Sequence, residues 1–183
     1  MNDEEILQRI RGEAEPGELP EPAPAEAVAE VEAAVGYPMP ALLKRTYLEV
    51  ADGGFGRWSQ ALSLTDTEYQ FSDAPRLVEA YLTEWLPRPG HPAAVVPLLE
   101  WGGAIWSFVD FSTSEGRMWA WDPNQRCLQH ALFPEDLTLA ERLTGWLDGQ
   151  DEAFPQPPPM PNCPACSETA TDSGSGSGVE RLN

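Results

Sequence analysis

The chain has 183 residues, 42% of them hydrophobic, which is enough for one substantial core and too little for two, so we expect a single folded domain. Its 30 acidic and 11 basic residues give a net charge of −19, and such a surface repels the phosphates of nucleic acids, so DNA or RNA binding is not expected. The same charge would attract a basic protein, or it would serve only to keep the chain soluble.

Membrane insertion and secretion are also not expected. No apolar run approaches the ~20 residues that span a bilayer, and residues 1–5 lack the basic start of a signal peptide. Three cysteines, an odd number, argue against a disulfide framework. We therefore expect a cytoplasmic protein.

The first 25 residues predict a short helix followed by a linker. Residues 2–13 can form a helix with one apolar side, made by Ile6, Leu7 and Ile10. The following prolines forbid regular structure up to residue 25, so this part is expected to be a linker or an extended strap.

The folded domain is expected over residues 26–150, and it begins with two helices. Residues 27–35 carry one apolar stripe, and Gly36 is suited to end that helix in the left-handed conformation. Pro38 and Pro40 favour a turn and the start of a second helix, because they lack a backbone donor and have a fixed φ. Its buried face is expected to consist of Leu43, Tyr47 and Val50. Asp52, Gly53 and Gly54 then allow a sharp change of direction.

The rest of the domain alternates between strand and helix patterns. A first strand is predicted around Ala61, Leu62 and Leu64, then an exposed polar loop at residues 65–73 and a helix at 74–85. The apolar face of that helix is expected to contain Leu77, Val78, Tyr81, Leu82 and Trp85. Strands are predicted at 94–100, 104–111 and 118–121, with a hairpin loop at 112–116 and a further strand at 126–133. A final helix is predicted at 137–147.

This order of elements predicts an α+β fold, in which helices pack on a mostly antiparallel central sheet. Residues 151–183 are rich in proline and then in glycine and serine, and they are expected to form a disordered tail.

The strand at residues 105–111 has large apolar groups on both faces, which indicates a central position in the sheet. Trp106, Phe108 and Asp110 share one face. A carboxylate among aromatic rings needs a hydrogen-bond partner, and for Asp110 this is either the backbone of the following turn or a ligand.

Catalytic and metal-binding patterns are scarce. His91 lies in a turn sequence and is expected at the surface, and His130 is expected on a strand. Cys127 and His130 would point to opposite faces of that strand, which argues against a nucleophile and base pair. Cys163 and Cys166 have the spacing of half a zinc site, but a closed site needs four ligands. We expect no cofactor and no catalytic residue, and these two cysteines remain a candidate metal pair.

Several of these residues share the order of a known motif. Glu32, Gly36 and Pro40 follow the pattern Glu-x-x-x-Gly-x-x-x-Pro, after which come Tyr47, Asp52 and the pair Gly53-Gly54. Residues 97–103, 107–110 and 116–122 are similar to a central hairpin, and 139–147 to a last helix. Over residues 26–149 the chain resembles the SUKH superfamily, which includes fungal cell-wall-assembly regulators of the Smi-Knr type and many bacterial immunity proteins.

The resemblance implies a SUKH-like α+β domain and a non-enzymatic immunity protein that binds and neutralises a toxin of a polymorphic toxin system. A toxin with a basic nuclease site would suit the acidic surface. A regulatory or scaffold protein of the same superfamily is the alternative, followed by a small hydrolase. We expect the partner surface to combine aromatic and acidic side chains: Trp58, Asp66, Glu68, Tyr69, Asp73, Trp106 and Asp110.

Overall fold

A computed structural model describes residues 1–13, 19–56, 61–65, 75–124, 128–150 and 155. Its helices are Asp3–Glu13 (α1), Ala25–Val35 (α2), Ala41–Glu49 (α3), Leu77–Glu79 (α4) and Leu139–Leu147 (α5). Its strands are Val95–Gly102 (β1), Ile105–Asp110 (β2), Arg117–Trp121 (β3) and Leu132–Thr138 (β4). The predicted α+β class is confirmed. The predicted tail lies outside the described residues apart from Pro155, which is buried.

The four strands form one antiparallel sheet in the order β1-β2-β3-β4, so β2 lies between two neighbours as predicted. Trp106 pairs with Trp121 at one end of β2, and Asp110 pairs with Arg117 at the other. Trp106, Phe108 and Asp110 therefore share a sheet face with Trp119 and Trp121 of β3. We call this the tryptophan face.

The N-terminal helix belongs to the core. The predicted apolar side of α1 is at most 1% exposed at Ile6, Leu7 and Ile10, and α1 contacts both α3 and α5. Arg9 also binds Asp148 at 2.6 Å, just beyond the end of α5. Residues 1–13 therefore pack in the same body as the sheet.

The proline-rich stretch after α1 includes an extended strap along α3. The amide of Ala23 donates to the carbonyl of Tyr47 at 2.8 Å, and the amide of Asp52 donates to the carbonyl of Glu21 at 3.0 Å. Because the prolines prevent a helix in this stretch, its backbone groups need partners elsewhere, and these two bonds provide them.

The predicted first strand is wrong, because its residues form only one isolated antiparallel bridge, from Ala61 to Leu99. The amide of Leu64 instead donates to the Asp52 carboxylate at 2.7 Å, which turns the backbone away from the sheet. Ala61, Leu62 and Leu64 are nevertheless buried, as their apolar character predicts.

The predicted helix at 74–85 is described from Leu77, and it changes to a π-helix at Ala80–Trp85. The amide of Leu86 bonds the carbonyl of Tyr81, five residues back, at 2.8 Å. This wider turn keeps Tyr81 and Trp85 buried, but it leaves Leu82 44% exposed, so the prediction of a buried Leu82 is wrong.

The segment before the last helix also differs from its prediction. Leu128–His130 form a 3₁₀ turn, and the strand begins at Leu132 and continues to Thr138, where a capping box with Glu141 starts α5. Pro134 is tolerated because β4 pairs with β3 on one side only within the described sheet.

Candidate functional site

Glu32, the first residue of the motif, holds the turn between α2 and α3. Its Oε1 accepts from the amide of Met39 at 2.9 Å and from Nζ of Lys44, the only lysine of the chain, at 3.1 Å. Gly36 ends α2 with φ +80°, and its amide bonds the Glu32 carbonyl. Pro40 precedes the first residue of α3. These residues fix the angle between two helices and have a structural explanation.

The second half of the motif holds a loop with two described segments, residues 52–56 and 61–65. The hydroxyl of Tyr47 donates to the carbonyl of Leu62 at 2.7 Å, and the amide of Gly54 donates to the carbonyl of Ala61 at 2.9 Å. Tyr47 is fully buried, and this burial, with the nearby charge of Asp52, raises the pKa of its phenol.

Asp52 and Gly53 close the base of this loop. The Asp52 carboxylate accepts from the amides of Leu64 and Thr65 at 2.7 and 3.1 Å, and from the hydroxyl of Thr65. Gly53 has φ +85°, and a Cβ there would lie 2.8 Å from the Ala61 carbonyl oxygen and from the Ser63 amide. Only glycine permits both the backbone conformation and this close approach.

The predicted partner residues other than Trp106 and Asp110 lie in two sequence segments that directly follow the two parts of this loop. Trp58 lies in the gap after Gly56, and Asp66, Glu68, Tyr69 and Asp73 lie in the gap after Thr65; all five are outside the described residues. Beyond the second gap, the amide of Leu77 donates to the carbonyl of Ser63 at 2.9 Å. The loop therefore anchors both sides of the predicted acidic segment.

Trp106 lies under an aromatic cluster on the tryptophan face. Trp85 crosses this face, with ring centroids 5.6 Å from Trp106, 4.7 Å from Phe108 and 5.5 Å from Trp121. Trp106 is only 7% exposed beneath it, whereas Trp121 remains half-buried. Trp121 is thus more accessible to a partner than Trp106.

Asp110 lies at the far end of the same face, roughly 13 Å from Trp106 along the strand. Its Oδ1 accepts from the amide and hydroxyl of Ser112 at 2.8 and 2.6 Å, which confirms the interpretation that it binds the following turn. Trp106 and Asp110 therefore share a face but lie at its opposite ends, and their predicted contact with a partner stays a prediction.

His91 is half-buried and thus less exposed than its turn sequence predicts. Its Nε2–H donates to the carbonyl of Val95 at 2.7 Å, and its ring lies 6.0 Å from that of Trp85 and 5.6 Å from that of Phe108. Burial, with a smaller contribution from the charge of Arg88, lowers the pKa of His91, while the bond to Val95 opposes this.

Sequence reasoning missed Arg88. Its Cζ lies 4.1 Å from the ring centroid of Trp85 and 4.8 Å from that of Trp121. The signal was available, since an arginine three residues after a helical tryptophan can fold back on that ring.

Glu100 also lies beside the cluster, opposite Trp106 in the register of β1 and β2. Its partial burial, and secondarily the charge of Glu84, raise the pKa of its carboxyl. The surroundings of the aromatic cluster are thus acidic.

The described cations are largely held by carboxylates of the same chain. Each described lysine or arginine except Arg88 forms a salt bridge: Arg9, Arg11, Lys44, Arg45, Arg76, Arg117 and Arg142. Exposed carboxylates outside these described salt bridges are Asp3, Glu5, Glu21, Glu26, Glu84, Asp136 and Glu141.

The catalytic arrangement that a hydrolase would need is not formed by Asp110 and His130. Asp110 lies beside the first residue of β3, and His130 lies in the turn beyond the last residue of β3. Cys127, Cys163 and Cys166 lie outside the described residues. Within the described ranges, no three side chains of histidine, cysteine or acidic type group as metal ligands, and no helix is long and apolar enough to cross a membrane.

Comparisons of the chain with protein-family models, curated proteins and solved structures gave no match. The resemblance to the SUKH superfamily rests on the motif residues alone.

Proposed function

We propose that the chain is a non-enzymatic protein-binding domain, a bacterial immunity protein that binds and neutralises a basic toxin. The resemblance to the SUKH superfamily supplies the class, and the charge of the chain supplies the chemistry of the partner.

One feature of the charge distribution supports the proposal most directly. Apart from Arg88, the described cations are paired with carboxylates within the domain, so the field from the described residues comes mainly from the remaining carboxylates. Such a field speeds encounter with a basic protein and weakens as salt rises. Nucleic acid, which is an anion, would be repelled.

The segment after Thr65 is the proposed centre of the contact. It contributes three acidic residues and one tyrosine between two hydrogen-bonded anchors, and this combination offers both steering and buried contact area.

The direct test mixes the protein with toxins encoded beside its gene and measures inhibition and binding over a range of salt concentrations. We expect a complex whose association rate falls steeply with salt. The absence of a complex with any neighbouring toxin, or a complex whose association ignores salt, would contradict the proposal.

Two variants with the same change in net charge locate the contact. Asp66→Asn/Glu68→Gln/Asp73→Asn should weaken binding roughly tenfold or more, because close charge pairs at an interface are lost. The control Asp3→Asn/Glu21→Gln/Glu26→Gln changes exposed carboxylates elsewhere and should alter mainly the salt dependence. Equal losses of affinity would place the contact outside the predicted segment.

The scaffold alternative, in which the chain ends bind a cellular protein, is tested by removing one end. Removing residues 1–25 would delete α1 and the strap and expose the core that they cover, so it would destabilise the domain itself. Removing residues 156–183 spares the described body. The immunity proposal expects this variant to bind the toxin as tightly as the full chain does. The scaffold alternative expects the variant to lose binding of its cellular protein.

A further inference from the structure

Arg88 occupies the corner between two tryptophan rings. The rings of Trp85 and Trp121 are inclined by 71° with centroids 5.5 Å apart, and the Arg88 guanidinium lies over both. Arg88 is itself exposed. We call this arrangement the arginine–tryptophan corner.

The arginine is held at both its backbone and its side chain. Its amide donates to the Trp85 carbonyl at 2.9 Å, and its carbonyl accepts from the amide of His91 at 3.1 Å. Its Nε donates to the carbonyl of Glu84 at 3.0 Å. The two terminal amino groups have no acceptor among the described residues, so the donor pair that suits a carboxylate is left available and already oriented.

The charges around the arginine–tryptophan corner indicate which kind of ligand it can bind. Glu84 and the partly buried Glu100 place negative charge nearby, and Glu100 lies opposite Trp106 in the sheet. A lone anion meets this acidic field and is disfavoured, whereas a carboxylate flanked by basic side chains satisfies both charges.

We propose that Arg88 docks a carboxylate side chain of the protein partner, at a place where that carboxylate is surrounded by basic residues. This inference rests on the proposed function and explains how the domain would select one basic partner over another. Basic residues of the partner meet the acidic surface, and one acidic residue fixes the register by pairing with Arg88. Arginine and tryptophan are the residue types that most often dominate interface energetics, and a guanidinium that is already ordered loses less entropy on binding.

Two synthetic peptides test this chemistry without the natural partner. The first is acetyl-Lys-Lys-Glu-Lys-Lys-amide, and the second has glutamine in place of the glutamate. Binding is followed by NMR of the Arg88 Nε–H and of the indole N–H groups of Trp85 and Trp121. We expect the glutamate peptide to bind roughly threefold more tightly, although it has the lower net positive charge, because it forms a partly exposed charge-assisted pair.

Variants assign the preference to the corner. Arg88→Ala should abolish it and Arg88→Lys should retain part of it, since lysine keeps the charge and loses the planar fork. Arg117→Ala is the control, because Arg117 is exposed at the opposite end of β3 and should leave the preference intact. Circular dichroism and thermal melts confirm that each variant is folded.

Three results would overturn the inference: an equal or stronger affinity for the glutamine peptide, a glutamate preference that survives in Arg88→Ala, or no shift of these signals at millimolar peptide. A toxin complex that is indifferent to Arg88→Ala would overturn it and leave the proposed function standing. A glutamate preference at Arg88 without any toxin complex would support this docking chemistry and count against the toxin.

Discussion

Replacing Gly53 by alanine tests whether the two loop segments, residues 52–56 and 61–65, pack as closely as described. Alanine in the left-handed conformation costs about 1–2 kcal/mol. The new Cβ would also lie 2.8 Å from the Ala61 oxygen and the Ser63 amide, which are backbone atoms that cannot rotate away. Overpacking of this kind typically costs about 1–3 kcal/mol more.

Gly36→Ala is the matched control. Gly36 has φ +80°, close to the +85° of Gly53, but a Cβ there meets no heavy atom within 4 Å. The two variants share the backbone cost and the change in the unfolded chain, so their difference isolates the contact. We expect Gly53→Ala to lose about 2 kcal/mol more free energy of unfolding than Gly36→Ala.

Urea unfolding followed by tryptophan fluorescence measures this difference. The m-values of the two variants should agree, because both expose the same surface on unfolding. The same gap should appear as a Tm lower by about 4–8 °C in Gly53→Ala, at 2–4 °C per kcal/mol for a chain of this size. Equal losses in the two variants would refute the reasoning, since they would mean that residues 61–63 move aside freely.

Three further substitutions are expected to change the stability of the domain in different ways. Asp52→Asn should cost about 2–3 kcal/mol, because an amide NH₂ would replace an oxygen that accepts from Thr65; a smaller loss than that of Gly36→Ala in the same urea assay would contradict this. Glu100→Gln should raise the Tm at pH 7: the raised pKa of Glu100 means that folding favours its protonated form, so its ionisation lowers stability as pH rises above the unfolded value of about 4.5. A lower Tm would show that the charge is stabilising. The lowered pKa of His91 has the reverse effect, since the unfolded chain then binds more protons and stability is lost as pH falls below about 6.5. The variant His91→Gln should flatten the dependence of the unfolding free energy on pH in that window, and an unchanged slope would assign it to other groups.

Much of the fold follows from local patterns that the sequence shows openly. The stripe of α2 ends at Gly36, and the hairpin between β2 and β3 spans a loop rich in polar residues, as predicted. These features depend on residues close together in the chain, so period and turn chemistry are sufficient to find them.

The errors come from interactions between distant residues. Leu64 was predicted on a strand because of its apolar neighbours, but Asp52, twelve residues earlier, binds its amide. His91 was predicted at the surface from its turn sequence, but it is half-buried beside the rings of Trp85 and Phe108. The position of Arg88 likewise depends on Trp121, which is 33 residues away and comes close only through the sheet.

The burial of α1 has a consequence for how the chain folds during synthesis. Arg9 and Asp148 are 139 residues apart in the chain, so the contact between α1 and the end of α5 forms only after nearly the whole domain has been made. At about 5–20 residues per second, translation takes roughly seven to thirty seconds to make the rest of the chain up to that contact, and Ile6, Leu7 and Ile10 are not fully covered until then. Helix α1 is therefore made early and is among the last elements to be fully covered, so its apolar side stays open to a chaperone until the end of α5 has been made.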